Sequence, residues 1–400
     1  MRIVVNTNSL LTPLTGIGQY TYQIARALKR IDAANDYTYY YGFYSRELFQ
    51  QDVDDGAAGA PAVRQRTLRH YQRVKSVLRR VPGLMPVGRA ARTAASHALQ
   101  AVRGRRFDLY FEPNFIPLEE IRASRTVTMV FDLSVLIHPE WHPADRVRIF
   151  ERQFRRGIAR SSRILTSTEF VKGQIVDLLE VAPERVTVTP ISCDKDVFKP
   201  RVEDWRAFDA ALGLPEHYLL FVGSVEPRKN ILGLLQAYAA LPPRIRDVLA
   251  IVLCGPSGWK NADVFQYAAS HGLEGRIVSR PYLPAETLSG LYNRAVALVY
   301  PSFYEGFGLP PLEAMACGCP AIVSNIPTHE EVCADGVLYV DPHRPADIAG
   351  AIARLWDEPD LRQRLRAAGL ARAAAFSWER AALATLGVFA ETVSGPAPLS

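Results

Sequence analysis

Two carboxylates, Glu305 and Glu313, stand with seven residues between them in the segment Pro301-Ser-Phe-Tyr-Glu-Gly-Phe-Gly-Leu-Pro-Pro-Leu-Glu-Ala-Met-Ala-Cys-Gly-Cys-Pro320. An apolar run, residues 295–299, comes just before. The order reads as a strand, a glycine turn and a helix start, with one acid before the helix and one inside it. A helix N-terminus offers free N–H groups to phosphate oxygens. Carboxylates accept hydrogen bonds from vicinal hydroxyls, which are donors. The arrangement suits a sugar attached to a diphosphate. Gly306, Phe307, Gly308 and Leu309 form the turn, and glycine lets a backbone approach phosphate closely. Gly308 and Leu309 are the candidate N–H donors, and the prolines after them fit a first helical turn, where no amide hydrogen is needed.

Arg228 and Lys229, in Glu226-Pro-Arg-Lys-Asn230, follow the apolar run 219–222 and Gly223-Ser224. They precede a helical segment, 231–241. Two cations at a helix start are unfavourable without an anion, because that end is already positive. At the mouth of a parallel sheet they can neutralise a departing diphosphate as charge develops on it. Arg binds bidentately, whereas Lys acts as a point charge. Three further groups are candidates. Gly16-Ile-Gly18 sits between the first strand and its helix. Asp132 ends the apolar run 126–131, where a parallel sheet would present it to a ligand. His138 and His142 follow in His138-Pro-Glu-Trp-His-Pro143. Each also has a plain reading: a turn, a solvated acid, a surface or packing histidine. Tyr20 reads as core or as an acceptor contact.

The segment 304–320 resembles the Glu-x7-Glu signature of retaining glycosyltransferases of family four, the glycosyl transferases group 1. The likeness extends back to Phe221-Val-Gly-Ser-Val-Glu-Pro-Arg-Lys-Asn230 and forward through Asn325-Ile-Pro-Thr-His-Glu-Glu-Val332 to Asp341-Pro342. The first half is similar more loosely, through Gly16-Ile-Gly18 and Asp132-Leu-Ser134. The resemblance implies an α/β protein of the GT-B fold, with two Rossmann-like domains facing a cleft. It implies an N-terminal acceptor domain, 1–198, a nucleotide-sugar domain, 199–375, and a C-terminal helix, 376–400, that returns to the first domain.

It further implies that Glu305 contacts hydroxyls of the donor sugar and Glu313 the nucleotide ribose. Arg228, Lys229, Gly223 and Ser224, with the glycine turn, would hold the diphosphate. Gly16 and Gly18 would approach the donor from the opposite wall. Tyr282 and Leu283 would hold the nucleobase. Asp132 would join Glu305, Arg228 and Lys229 at the reacting centre, with Tyr20, His138 and His142 toward the acceptor. Glu330 and Glu331 belong to the wall near the sugar or to a solvated helix face. No metal and no cofactor are required beyond the nucleotide sugar as donor. Two departures stand out. Relatives carry an Arg where this chain has Ser224, and a His before the Asp where it has Phe131. The variant motifs are most similar to bacterial mannosyl- and rhamnosyltransferases of surface polysaccharides, which favours a GDP-linked donor. A nucleotide-sugar epimerase and a catalytically weak partner subunit stay open.

Positioning these groups requires strands that alternate with helices. Strands are expected at 2–6, 37–44, 108–111, 126–131, 164–166 and 186–189. After a break near residues 198–200 they resume at 219–222, 250–254, 276–279, 295–300, 321–324 and 337–340. Helices are expected at 146–158, 231–241, 264–271, 286–295, 311–316, 346–356 and 376–393. This alternation implies parallel sheets covered on both faces. Ligands then bind outside the C-terminal strand ends.

The bulk composition, 400 residues with 48% apolar and a net charge of +6, is that of a soluble α/β protein of two or three domains. Residues 56–107 contain twelve Lys and Arg and no acid. Residues 64–81 place apolar side chains at near-helical spacing among them. Such a block implies an acidic partner. An anionic membrane surface and a saccharide or lipid-linked saccharide acceptor fit it. Nucleic acid does not, because aromatic base platforms are not interleaved. Five scattered cysteines exclude a disulfide framework. The expected location is cytoplasmic, peripheral on the cytoplasmic face of the inner membrane.

Overall fold

The computed structural model describes residues 1–11, 16–49 and 106–395. The basic block, except for Arg106 and Phe107, and the last five residues lie outside the described residues.

Two sheets dominate. The first contains β1 (Arg2–Asn6), β2 (Asp36–Tyr40), β3 (Tyr44–Ser45), β4 (Phe107–Glu112), β5 (Ala123–Met129), β6 (Arg163–Thr166) and β7 (Val186–Val188), in the order β3-β2-β1-β4-β5-β6-β7. All its pairings are parallel except β2 with β3. The single strand expected at 37–44 is instead this short hairpin, turned at Gly42 with φ 85°. The second sheet is wholly parallel, with β8 (His217–Val222), β9 (Leu249–Cys254), β10 (Ile277–Arg280), β11 (Ala297–Tyr300), β12 (Ala321–Ser324) and β13 (Leu338–Val340) in the order β10-β9-β8-β11-β12-β13. Its strands lie within two residues of the expected ones. They are apolar throughout because helices cover both faces; every residue of β9 is buried.

Strand order reverses between β1 and β4 in one sheet and between β8 and β11 in the other. At such switch points the connections leave in opposite directions and open a crevice for ligand. The β8 crevice receives Gly223 to Asn230, and the β11 crevice receives Phe303 to Gly308. The helix Leu309–Cys317 rests on the helix Pro359–Ala374, which was not expected from the sequence. The last helix, Trp378–Ser394, leaves the second domain and packs along the helix Gly16–Ile31 and β5. Arg125 fixes its end by donating to the carbonyls of Thr392 and Gly395, and Arg163 pairs with Glu391 at 2.8 Å. Among the described residues no helix is long and apolar enough to cross a membrane.

Candidate functional site

The β8 crevice is held open by one asparagine. Asn230 adopts φ 55°, the left-handed region that Asn tolerates better than most residues. Its side chain accepts from Gly233 N–H and donates to the carbonyls of Pro301 and Pro342, at 3.1 and 2.7 Å. It thereby caps the helix Ile231–Ala239 and ties the β8 loop to the β11 and β13 loops. The preceding turn, Pro227–Lys229, carries both cations into the crevice.

There they meet Glu305. Lys229 Nζ donates to Glu305 Oε1 at 2.6 Å and also to the Tyr300 hydroxyl. Arg228 reaches Glu305 Oε2 at 2.9 Å, Glu226 Oε1 at 3.0 Å and the Tyr304 carbonyl at 3.2 Å. Lys229 is 7% exposed and Glu305 5%. Burial alone would raise the Glu305 pKa, but the charges of Arg228 and Lys229 outweigh it and hold the carboxyl at about 2. Burial pushes the Lys229 ammonium below its ordinary range against the pull of Glu305. For Arg228 the carboxylates of Glu305, Asp132 and Glu226 overcome the cost of burial and keep it charged. The expected pair of phosphate cations therefore already has a carboxylate partner.

The turn after Glu305 ends in a helix N-terminus of unusual economy. Gly308, with φ 92°, is the N-cap of the helix Leu309–Cys317, and Pro310 and Pro311 follow. A helix start leaves its first amides unsatisfied. Here two of those positions are prolines, and Leu312 N–H already bonds the Gly308 carbonyl at 3.4 Å. Gly308 and Leu309 are left as the amides to offer. Glu313, inside the helix, accepts from the Tyr292 hydroxyl at 2.9 Å. Burial lifts its carboxyl to about 7 against that bond. Gly223, φ 143°, ends β8 where Gly255 packs against it so closely that a Cβ on Gly255 would fall 2.3 Å from the Gly223 carbonyl oxygen. Ser224 lies partly exposed beside it.

The first domain closes over the same turn. The hydroxyls of Ser167 and Thr168 both donate to the Gly306 carbonyl at 3.1 Å. A Cβ on Gly306 would sit 1.9 Å from the Phe131 carbonyl oxygen and 2.9 Å from Asp132 Cβ. Asp132 Oδ1 accepts from Ser134 N–H at 2.8 Å, and its charge acts on Arg228. His142 is buried beside Asp132 and Arg228, with both ring nitrogens lacking a hydrogen-bond partner among the described residues. Burial and the Arg146 charge lower its pKa to about 4. His138 stacks on Trp141 with centroids 3.8 Å apart and faces the Tyr304 ring edge-on. On the other side of the crevice, Tyr282 hydrogen-bonds Gln19, next to Gly16 and Gly18 in the first turn of the helix Gly16–Ile31. Leu283 packs on the core beside it.

Two of the candidate side chains turn into the core. Tyr20 is 1% exposed, edge-on to Phe131 at 4.9 Å and near Trp378, so it is a core residue and not an acceptor contact. Phe307 is also core, edge-on to Phe376 at 5.8 Å, so only its backbone is available to a ligand. Of the acidic pair, Glu331 accepts from the amides of Glu169 and Phe170, at 2.8 and 3.2 Å. It caps a helix of the other domain, Glu169–Leu179, while Glu330 is exposed.

Several residues of the site are not among the sequence candidates. Glu226 orients Arg228, and Tyr304 donates to Gln174 across the domains at 2.6 Å while accepting from Leu133 N–H. His329 is wholly buried, with Nδ1 at 3.0 Å from the Ser324 carbonyl. A carbonyl only accepts, so Nδ1 carries the proton and Nε2 is an acceptor. That Nε2 has no partner among the described residues and lies against Gly308, and burial lowers the His329 pKa to about 4. His329 lies inside the segment 325–332 that carries the family likeness, but its spacing alone assigns it no role.

The assembled groups can hold a polyanion through two cations and two amides, and a polyhydroxylated group through Glu305, Asp132 and two neutral imidazoles. Residues 206–372 match the family described as Glycosyl transferases group 1. The O-antigen chain mannosyltransferase B of Escherichia coli is 33% identical over 391 residues, 97% of this chain and 99% of that one. Among solved structures, sucrose-phosphate synthase from Thermosynechococcus elongatus superposes with a TM-score of 0.70 at 19% identity, covering 98% of each chain. Anabaena Alr3699/HepE, in complex with UDP and glucose, has a TM-score of 0.67 at 16% identity, over 97% of this chain and 99% of that one. A site built at facing switch points of two parallel sheets, with Glu305 and Glu313 flanking one helix start, thus belongs to a GT-B glycosyltransferase of the group 1 family.

Proposed function

We propose that this enzyme transfers a hexose, mannose or a deoxymannose, from a GDP-sugar to a saccharide or lipid-linked saccharide during surface-polysaccharide synthesis, with retention of configuration and without a metal ion. The observation that carries the reading is the buried Arg228–Lys229–Glu305 cluster beside a helix start with two amides to offer. The choice of mannose is supported by the likeness over nearly the whole chain to the O-antigen mannosyltransferase of Escherichia coli.

In this reading the diphosphate displaces Glu305 from its cations. Arg228, Lys229 and the Gly308 and Leu309 amides then take the phosphate charge, which is largest as the glycosidic bond breaks. Glu305, freed, accepts from sugar hydroxyls, as does His329 Nε2. Glu313, near Tyr282, faces the ribose. Attack comes from the leaving-group face, and a leaving phosphate oxygen takes the proton of the acceptor hydroxyl. Asp132 and His142 border that face. The acceptor is presented at an anionic membrane surface, for which the twelve basic residues between 56 and 107 supply the charge.

A thermal-shift screen of GDP-, UDP- and dTDP-sugars, followed by product analysis with lipid-linked acceptors, tests the reading. A GDP-sugar should give the largest shift and an axially retained product. Selective stabilisation by another nucleotide, or donor turnover with no acceptor consumed, would overturn the donor or the transfer assignment. Flotation with anionic vesicles, comparing native protein with Arg73, Arg79 and Arg80 changed to Gln, tests the membrane step. Equal flotation would remove it.

A further inference from the structure

Beside the Pro227–Lys229 turn lies a cavity of about 330 Å³, lined by the second domain and by Trp141 of the first. Three rings line one wall: Trp141 from the first domain, Phe303 and His343 from the second. They run nearly parallel, with Trp141 and Phe303 inclined by 24° at 6.2 Å, and Phe303 and His343 by 25° at 4.9 Å. The rest of the lining is mixed, with Glu226, Gln236, Lys260 and Asp263 among apolar residues such as Ile231 and Leu232. We propose that this cavity is a subsite for a neutral saccharide unit of the acceptor, packed against the Trp141–Phe303–His343 row. The proposal rests on the glycosyl-transfer reading and places the acceptor within it.

The chemistry of the walls selects the ligand. A pyranose has an apolar C–H face, which packs on aromatic rings, and an edge of hydroxyls, which donate to carboxylates and amides. The cavity offers both kinds of group. A phosphate is disfavoured, because two carboxylates, Glu226 and Asp263, stand in the lining against one ammonium, Lys260, which also donates to the Glu140 carbonyl at 2.6 Å. The volume lies at the low end of small-molecule sites, about 300–1,000 Å³, so a short saccharide fits and a lipid carrier does not.

Position links the cavity to the reaction. Glu226 lines it and accepts from Arg228 at 3.0 Å, so one residue borders both the subsite and the donor cluster. The Trp141 turn is held over the cavity from the second domain, by Trp259 Nε1 donating to the Trp141 carbonyl at 2.7 Å and by Lys260 on Glu140. The aromatic wall is therefore complete only while the domains stand together. A saccharide stacked there favours the arrangement in which Gly306 meets Phe131.

Calorimetric titration of the full chain with mannotriose, in the absence of any nucleotide sugar, tests the subsite. His343→Ala removes an exposed ring, and Trp141→Ala removes the ring from the other domain. Each should weaken mannotriose about tenfold, the loss of one stacking partner, and raise the acceptor KM by a similar factor. The donor KM should move less than twofold, and melting curves confirm folding. Unchanged mannotriose affinity in His343→Ala, absence of binding by the native protein, or a parallel loss of donor affinity would each overturn the subsite. Because the titration contains no donor, mannotriose binding lost in both variants would sustain the subsite even if the GDP-sugar screen failed.

Discussion

Replacing Gly306 by alanine should disable transfer without unfolding either domain. The added Cβ would lie 1.9 Å from the Phe131 carbonyl oxygen, about 1.5 Å short of the 3.4 Å at which ordinary contact begins. Neither neighbour is a flexible side-chain tip, since one is backbone and the other is Asp132 Cβ. The β11 turn is anchored in its own domain by Thr328, which donates to the Glu305 carbonyl at 2.7 Å. The clash is therefore relieved by separating the domains, and the hydrogen bonds from Ser167 and Thr168 to the Gly306 carbonyl are lost. Two such bonds are together worth about 1–3 kcal/mol. A coupling of that size lowers the population of the closed form roughly 5- to 150-fold. Steady-state kinetics should show kcat/KM reduced by about that factor, with the melting temperature nearly unchanged and a larger radius of gyration by solution scattering. Native kcat/KM in Gly306→Ala would refute the idea that this closed contact is needed for transfer.

Other consequences are open to measurement. Glu313 has a folded pKa of about 7 against 4.5 unfolded, so its contribution to stability is full below 4.5 and is lost as pH rises through 7. That loss is on the order of 3 kcal/mol, and Glu313→Gln should flatten the fall in melting temperature over this interval. His142 and His329, held near 4, lose stability in the opposite sense as pH falls from 6.5, in both proteins alike. An unchanged slope in Glu313→Gln would contradict the burial of a protonated carboxyl. Glu331→Ala removes a cap from the helix Glu169–Leu179 and should cost about 1 kcal/mol, seen as weaker domain closure by scattering; no change would show the cap to be idle.

The second sheet was legible because its strands are buried on both faces, so β9 and β12 appear as plain apolar runs between turns. The helix Pro359–Ala374 was not, because its inner stripe is Leu361, Leu365, Gly369 and Ala373, set among arginines. Small residues there let it lie close to Met315, and apolar periodicity does not register them. Within the site, the types and strand-end positions of Arg228, Lys229 and Glu305 were evident, but their mutual pairing was not. The joins between Ser167 and Gly306, Gln174 and Tyr304, and Trp141 and Trp259 link residues over one hundred positions apart. Such contacts depend on how two sheets face each other, which no local spacing encodes. Phe307 misled for the same reason: it stands between Gly306 and Gly308 in sequence but turns its ring into the core.

The central claim is that the Arg228–Lys229–Glu305 cluster exchanges its internal ion pairs for a nucleotide sugar. Calorimetric titration of GDP-mannose and of GDP into native, Lys229→Ala and Glu305→Gln proteins tests it most directly. Loss of Lys229 should weaken both ligands tenfold or more, as expected for a charge-assisted contact worth about 1.5–3 kcal/mol. Loss of the Glu305 charge should weaken GDP-mannose alone and leave GDP bound at least as tightly, since its cations are released from a competitor. Equal affinities across the three proteins, or a Glu305 effect on GDP as large as on GDP-mannose, would contradict the account.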